Sequence, residues 1–286
     1  MSDREIKLIE LGWDNEWAAT LANSCSPAYL KQLYPARVVI AHGGTYVVLS
    51  DHGRQRAVLK GVLKREIRSG NSKPVVGDWV LIKKQESPGA VSIDSILPRR
   101  NKFSRSKGNT IHSNEQVIAA NIDTVFIISS MNAEYNRRRL ERYVTQVRVA
   151  GAQPVIVLSK QDICSDDEVA EFVIDARSIP NVNISVISSV THQGIDELQQ
   201  YFHPNKTVCL IGRSGVGKST LVNVLFDDEL QATELIREDG KGRHTTSYRE
   251  LLLLPSGGMI IDNPGMREFQ LWDVTADDIN DTFEDI

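Results

Sequence analysis

One nine-residue run, Gly212-Arg-Ser-Gly-Val-Gly-Lys-Ser-Thr220, limits what this chain can fold into more than any other feature. It matches G-x-x-x-x-G-K-[ST] through Ser219, and it lies between the apolar run Thr207–Ile211 and a helical pattern that begins at Lys218. Glycines let such a backbone curl until its N–H groups converge on phosphate oxygens. Lys218 then reaches the β- and γ-phosphates, Ser219 ligates Mg²⁺, and the helix N-terminus adds partial positive charge. The candidate phosphate-binding residues are therefore Gly212, Arg213, Ser214, Gly215, Val216, Gly217, Lys218, Ser219 and Thr220.

The surrounding pattern agrees with a strand–loop–helix unit of this kind. Apolar strand runs at Thr124–Ser129, Pro154–Leu158, Ile184–Ser188 and Thr207–Ile211 alternate with helical patterns at Arg137–Ala150, Asp166–Ile179 and Gly194–Phe202. Alternation of this type predicts βαβ units and a parallel sheet covered on both faces. Arg249–Leu254 and Met259–Asp262, joined by Pro255-Ser-Gly-Gly258, read as a hairpin on that sheet. The longest apolar runs fall far short of the roughly 18 residues of a spanning helix. Met-Ser-Asp-Arg-Glu-Ile-Lys opens the chain without an apolar signal region. Cys25, Cys164 and Cys209 are too scattered for a zinc or disulfide framework. These features lead us to expect a cytoplasmic protein that does not engage a membrane.

Between Arg37 and Pro98 the period shortens. Five β-type runs, Arg37–Ala41, Thr45–Leu49, Arg56–Leu63, Trp79–Ile82 and Ala90–Ile96, are separated by Gly and Pro turns, which suits a small closed barrel of the OB type. Arg99–Gly108 reads as a basic linker. Residues 1–110 carry 18 Lys and Arg against 10 Asp and Glu, a balance of +8, and the remaining 176 carry 15 against 27, a balance of −12. A barrel this basic is expected to face a polyanion, with Lys64–Arg68 and Arg99–Lys107 as phosphate contacts for RNA. Tyr46, Trp79 and Phe103 are conceivable stacking residues, although core positions suit them better.

Two further motifs stand at strand ends. Asp262-Asn-Pro-Gly265 follows Met259–Ile261, placing Asp262 to hold Mg²⁺ and the Gly265 N–H to bind a γ-phosphate. Leu158-Ser159-Lys160-Gln161-Asp162 resembles the guanine-reading N/T-K-x-D of GTPases, with Ser159 in place of Asn. The Asp carboxylate of that motif accepts two hydrogen bonds from guanine, where adenine offers the reverse pattern. Ser188-Ser189 stands where GTPases keep a Ser-Ala whose backbone meets the guanine oxygen. Base reading at 159–162 thus precedes phosphate binding at 212–220, with Asp262 last. That order is a circular permutation, cut between the switch region and the base-reading strand; surface loops tolerate such cuts.

Taken together, these residues resemble the circularly permuted, small-ribosomal-subunit-dependent GTPases of the RsgA (YjeQ) family over about residues 36–286, including Gly240-Lys-Gly-Arg-His-Thr-Thr246. The resemblance implies an N-terminal extension over 1–35, an all-β OB-fold barrel over 36–110 that binds RNA, and a permuted α/β P-loop GTPase domain over 111–270. It implies GTP or GDP with Mg²⁺ as ligand, hydrolysis that is slow alone and stimulated by the small subunit, and a role in late maturation of that subunit and its rRNA, acting as a monomer. Met266 stands where many GTPases keep a water-orienting Gln, so His244 is the candidate to do this beside the catalytic Lys218. One of Thr245 and Thr246 completes the Mg²⁺ shell with Ser219 and Asp262. Family members continue into a zinc-binding domain with clustered Cys and His. Residues 271–286, with an amphipathic acidic helix over Asp277–Asp285, are expected to begin that module, and no zinc site is expected within this chain. The rival readings are an ATP-dependent P-loop ATPase or kinase and a non-catalytic RNA-binding module.

Overall fold

The computed structural model describes residues 7–24, 27–30, 32–69, 72–83, 90–105, 116–230, 250–254 and 257–262. A 3-10 turn at Leu8–Leu11, helix α1 (Asn15–Ser24) and the single turn α2 (Pro27–Leu30) precede the barrel. Strands β1 (Leu33–His42), β2 (Thr45–Ser50) and β3 (Gly53–Leu59) form a meander, followed by helix α3 (Gly61–Arg68) and strands β4 (Trp79–Lys83) and β5 (Val91–Ile96). β1 pairs with both β2 and β4, β2 pairs with β3, and β5 joins β3 to β4, so the five strands close on themselves. Closure leaves no free edge between them. Val38, Val48, Val80, Ile82 and Ile93 fill the interior.

Two expectations for this region need correction. The third run, Arg56–Leu63, ends as a strand at Leu59, and Gly61 onward is helical. Leu63 is buried, and Ile67, one helical turn later, packs against the same barrel core, so burial at 4-residue spacing wins over strand propensity. The basic linker is also partly strand. β6 (Lys102–Arg105) pairs antiparallel with β7 (Gln116–Ala120).

The remaining elements are β8 (Thr124–Ser130), α4 (Arg137–Val149), β9 (Gln153–Ser159), α5 (Asp166–Arg177), β10 (Asn183–Val186), α6 (Ile195–Leu198), β11 (Thr207–Ile211), α7 (Lys218–Leu230), β12 (Glu250–Leu253) and β13 (Met259–Asp262). Strands β10, β9, β8, β11 and β13 are mutually parallel, and β12 is antiparallel to β13. Helix starts are set by local chemistry. The Asn136 side chain accepts from Arg139 N, and Ser165 with Glu168 forms a reciprocal capping box at α5. β12 also meets β1 at Ile40 and Glu250, so the barrel and the parallel sheet are hydrogen-bonded into one 11-stranded order. An ion pair from Arg54 to Glu250 spans the same junction.

Arg37 sits at that junction. It is 2% exposed, and its guanidinium donates to the carbonyls of Leu11, Gly77 and Asn121 and to Thr207 Oγ1, gathering four chain segments around one side chain. Burial lowers its pKa to about 10, with Asp123 and Asp78 partly offsetting that effect. Beside it, Trp13 and Trp17 pack against the ring of Trp79 at 4.8 and 6.2 Å. Arg99 makes two 2.7 Å bonds to the buried Asp78 carboxylate, and Arg100 pairs with Asp14 and Glu16 while lying over the Trp17 ring. The expectation that Arg99 and Arg100 face RNA needs correction: Arg99 donates to Asp78 and the Lys73 carbonyl, beside the start of β4, and Arg100 fastens the N-terminal segment through Asp14 and Glu16. Tyr46, Trp79 and Phe103 are core residues.

Candidate nucleotide site

The phosphate loop leaves β11 at Gly212, whose φ of 147° lies outside ordinary L-residue space, and a Cβ there would run into the Ile128 carbonyl oxygen of the neighbouring strand. Gly215 and Gly217, at φ of 84° and 98°, face the open side of the loop, where nothing lies within 4 Å of the place a Cβ would take. The result is a cradle closed behind by β8 and open in front, with backbone N–H groups and the first turn of α7 around it. Such a surface fits a polyphosphate. Lys218 lies over the loop and donates to the carbonyls of Gly212 and Arg213 at 2.6 Å each. Ser219 and Thr220 stand exposed in the first turn of α7, with Lys218 half-buried before them, Arg213 and Ser214 exposed on the rim and Val216 buried beneath.

The second half of the site stands at the end of β9. Ser159 is buried, and its Oγ donates to the Val216 carbonyl at 2.8 Å, tying the end of β9 to the glycine-rich loop after β11. Lys160 takes a left-handed backbone, φ 67°, which turns the chain so that Gln161 and Asp162 begin a 3-10 turn over the sheet end. Ser188 Oγ donates to Asp162 Oδ1 at 2.6 Å and accepts from the backbone N–H groups of Val190 and Thr191. Ser189 follows directly and is half-buried. The Ser188 hydroxyl is a contributor that sequence reading missed, because the resemblance pointed to its backbone. The signal available was a hydroxyl ending one strand beside a neighbouring strand that ends in a carboxylate. Replacing Ser188 with Ala frees Asp162 and is expected to weaken GDP binding about tenfold, about 1.4 kcal/mol. Calorimetric titration with GDP checks this.

The register Cys209↔Ile261 brings the backbone of Asp262 beside the end of β11 that leads into the loop. His244, Thr245, Thr246, Gly265 and Met266 lie outside the described residues, as do Gly240–Thr246 as a whole and the acidic run Asp277–Asp285.

These pieces lie at one end of the parallel sheet, in the permuted chain order. The family model for the RsgA GTPase matches residues 96–272. The chain belongs to the RsgA GTPase family. It is 42% identical over 255 residues to the small ribosomal subunit biogenesis GTPase RsgA 2 of Lactiplantibacillus plantarum, covering 87% of this chain and 69% of that one. It is 38% identical over 288 residues to the RsgA of Opitutus terrae, covering 98% and 77%. The fold is similar to that of crystalline YjeQ from Thermotoga maritima, with a TM-score of 0.67 at 24% identity over 88% of this chain and 82% of that one. It is also similar to that of YloQ, a circularly permuted GTPase, with a TM-score of 0.63 at 22% identity over 91% and 81%. RsgA GTPase membership makes GTP hydrolysis the activity, with GTP or GDP and Mg²⁺ as the ligand class, and the ATPase, kinase and non-catalytic readings fall away. Among the described residues, no helix is long and apolar enough to cross a membrane.

Proposed function

We propose that this chain is a GTP-hydrolysing switch in late maturation of the small ribosomal subunit, in the cytoplasm, as a monomer. The observation that carries the reading is the pair of hydrogen bonds from Ser159 to Val216 and from Ser188 to Asp162, which set base-reading and phosphate-binding groups in one frame. The barrel over 36–110 supplies the RNA-facing module and 111–270 the GTPase domain. Exposed Lys64, Arg65 and Arg68 of α3 on the barrel and exposed Lys102 of β6 are candidates for phosphate contact, and Lys107 of the same basic run lies outside the described residues.

Asp162 accepts from the guanine edge, Ser159, Lys160 and Gln161 set its position, and the Ser188 and Ser189 backbone meets the guanine oxygen. The loop Gly212–Thr220 cradles the β- and γ-phosphates with its N–H groups, and Gly265 N–H adds another. Ser219, Asp262 and one of Thr245 and Thr246 would hold Mg²⁺, which would supply neutralisation of phosphate charge. His244 orients water for attack on the γ-phosphorus. As that P–O bond forms, the bond to the bridging oxygen breaks, leaving GDP and phosphate. Lys218 and the loop N–H groups stabilise the charge that develops on the departing oxygen. Replacing His244 with Ala is expected to leave GTP affinity unchanged and to lower stimulated turnover at least a hundredfold. Single-turnover hydrolysis beside a binding isotherm checks it, and an unchanged rate would remove His244 from the mechanism.

A further inference from the structure

Helix α4 carries five arginines and one glutamate in thirteen residues, inside the part of the chain whose balance is −12. Three of the arginines, Arg137, Arg138 and Arg139, occupy its first turn, where the helix dipole favours acidic side chains, and no acidic residue stands there. Helix α5, of similar length, begins as the dipole prefers, with Asp166, Asp167 and Glu168. The arrangement in α4 therefore works against the stability of the helix.

Two of the five arginines have structural work. Arg137 pairs with Glu141 and Asp175, and Arg148 donates to the Pro180 and Asn181 carbonyls. Arg138, Arg139 and Arg142 form no ion pair among the described residues, and Arg138 and Arg142 are exposed, Arg142 lying over the ring of Tyr143. Arg138 and Arg142 stand four residues apart on one ridge. Arg139 turns the ridge inward and lines a cleft together with Gly212 and Arg213 of the phosphate loop.

We propose that this ridge is a second RNA-docking surface, on the GTPase domain itself, which grips the phosphodiester backbone of the RNA partner and ends beside the nucleotide site. The proposal rests on the ribosomal reading above and adds a surface distinct from the barrel. All three cations are arginines, whose planar guanidinium forks match phosphate oxygens two at a time and hold less water than lysine. Their one-turn separation lets successive phosphates be engaged along the ridge. A polyanion bound there draws on Arg139 and Arg213, side chains that border the cradle, and so has a direct physical route to the hydrolysis site.

The test uses the full chain with Arg138→Gln and Arg142→Gln together, and Arg177→Gln on the exposed end of α5 as control. The probe is a fluorescein-labelled RNA hairpin, titrated by anisotropy across a range of salt. The double variant is expected to bind about tenfold more weakly, with a salt slope shallower by about 1.5, since each lost phosphate contact removes roughly 0.7–0.9. Its basal GTP hydrolysis should match wild type and its thermal midpoint should hold or rise slightly, since a cation leaves the N-terminal turn of α4, while stimulation by small ribosomal subunits falls; the control should behave as wild type throughout. Retention of wild-type affinity and slope by the double variant, while subunits still stimulate the wild-type protein, overturns the ridge and leaves the ribosomal role standing. Displacement of the hairpin by polyglutamate more readily than by unlabelled RNA also overturns it, in favour of an acidic protein partner. A wild-type chain that neither binds the hairpin nor responds to subunits overturns both.

Discussion

Replacing Asp162 with Asn is expected to lower GTP affinity by two to four powers of ten and to move the preference to xanthosine triphosphate. The carboxylate offers two acceptors to the N–H groups on the guanine edge, and an amide offers one acceptor and one clashing donor. Charge-assisted hydrogen bonds of this kind contribute about 1.5–3 kcal/mol each, so losing both costs about 3–6 kcal/mol. Xanthine carries a carbonyl where guanine carries its amino group, so the Asn donor finds a partner there. The structure supports a local effect, because Asp162 is exposed at the sheet end and is held through Ser188 rather than through the core. Parallel titrations with GTP, XTP and ATP read the result. GTP affinity within about threefold of wild type, less than 1 kcal/mol, would mean that Asp162 does not read the base.

The second large effect concerns the junction rather than the site. Replacing Arg37 with Met keeps an unbranched side chain and removes every donor, leaving the Leu11 and Asn121 carbonyls and the Thr207 hydroxyl without the donor that now serves them, while the Gly77 carbonyl keeps only its bond from Asn121 Nδ2. Stranding buried polar groups of this kind is expected to cost about 3–5 kcal/mol, and a chain this size loses roughly 2–4 °C of midpoint per kcal/mol, so a fall of about 10 °C should follow. β11 carries Thr207 and leads into the phosphate loop, and Met259 of β13 lies 3.9 Å from Arg37 Nη1. The loss should therefore reach the nucleotide site, and GDP should restore part of the midpoint by binding the folded state. Differential scanning fluorimetry with and without GDP measures both. A midpoint within about 2 °C of wild type, under 1 kcal/mol, would show that the junction does not depend on Arg37.

The GTPase half of the fold was legible because its information is local. Apolar runs such as Pro154–Leu158 and the loop Gly212–Thr220 carry their own boundaries, and the observed β9 and β11 differ from those readings by two residues or fewer. What escaped reading depends on partners distant in sequence. β6 and β7 are short strands that exist by pairing with each other across residues 106–115. α3 was hidden because Arg56–Leu63 is a continuous β-like run, and its helical half shows itself only when Leu63 is read with Ile67. Arg37, at the head of an apolar run, reads as an ordinary solvated charge; only the closure of the barrel against β11 buries it. In the site itself, the motifs marked Ser159 and Asp162 by position, whereas the bonds from Ser159 to the loop and from Ser188 to Asp162 became visible only once three strand ends stood side by side.

The account is tested most directly by measuring GTP hydrolysis by this chain with and without purified small ribosomal subunits, with ATP in parallel. It predicts slow turnover of GTP alone, strong acceleration when subunits are added, and no turnover of ATP in either case. Acceleration of ATP hydrolysis to the same degree, or GTP turnover indifferent to the subunits, would contradict it.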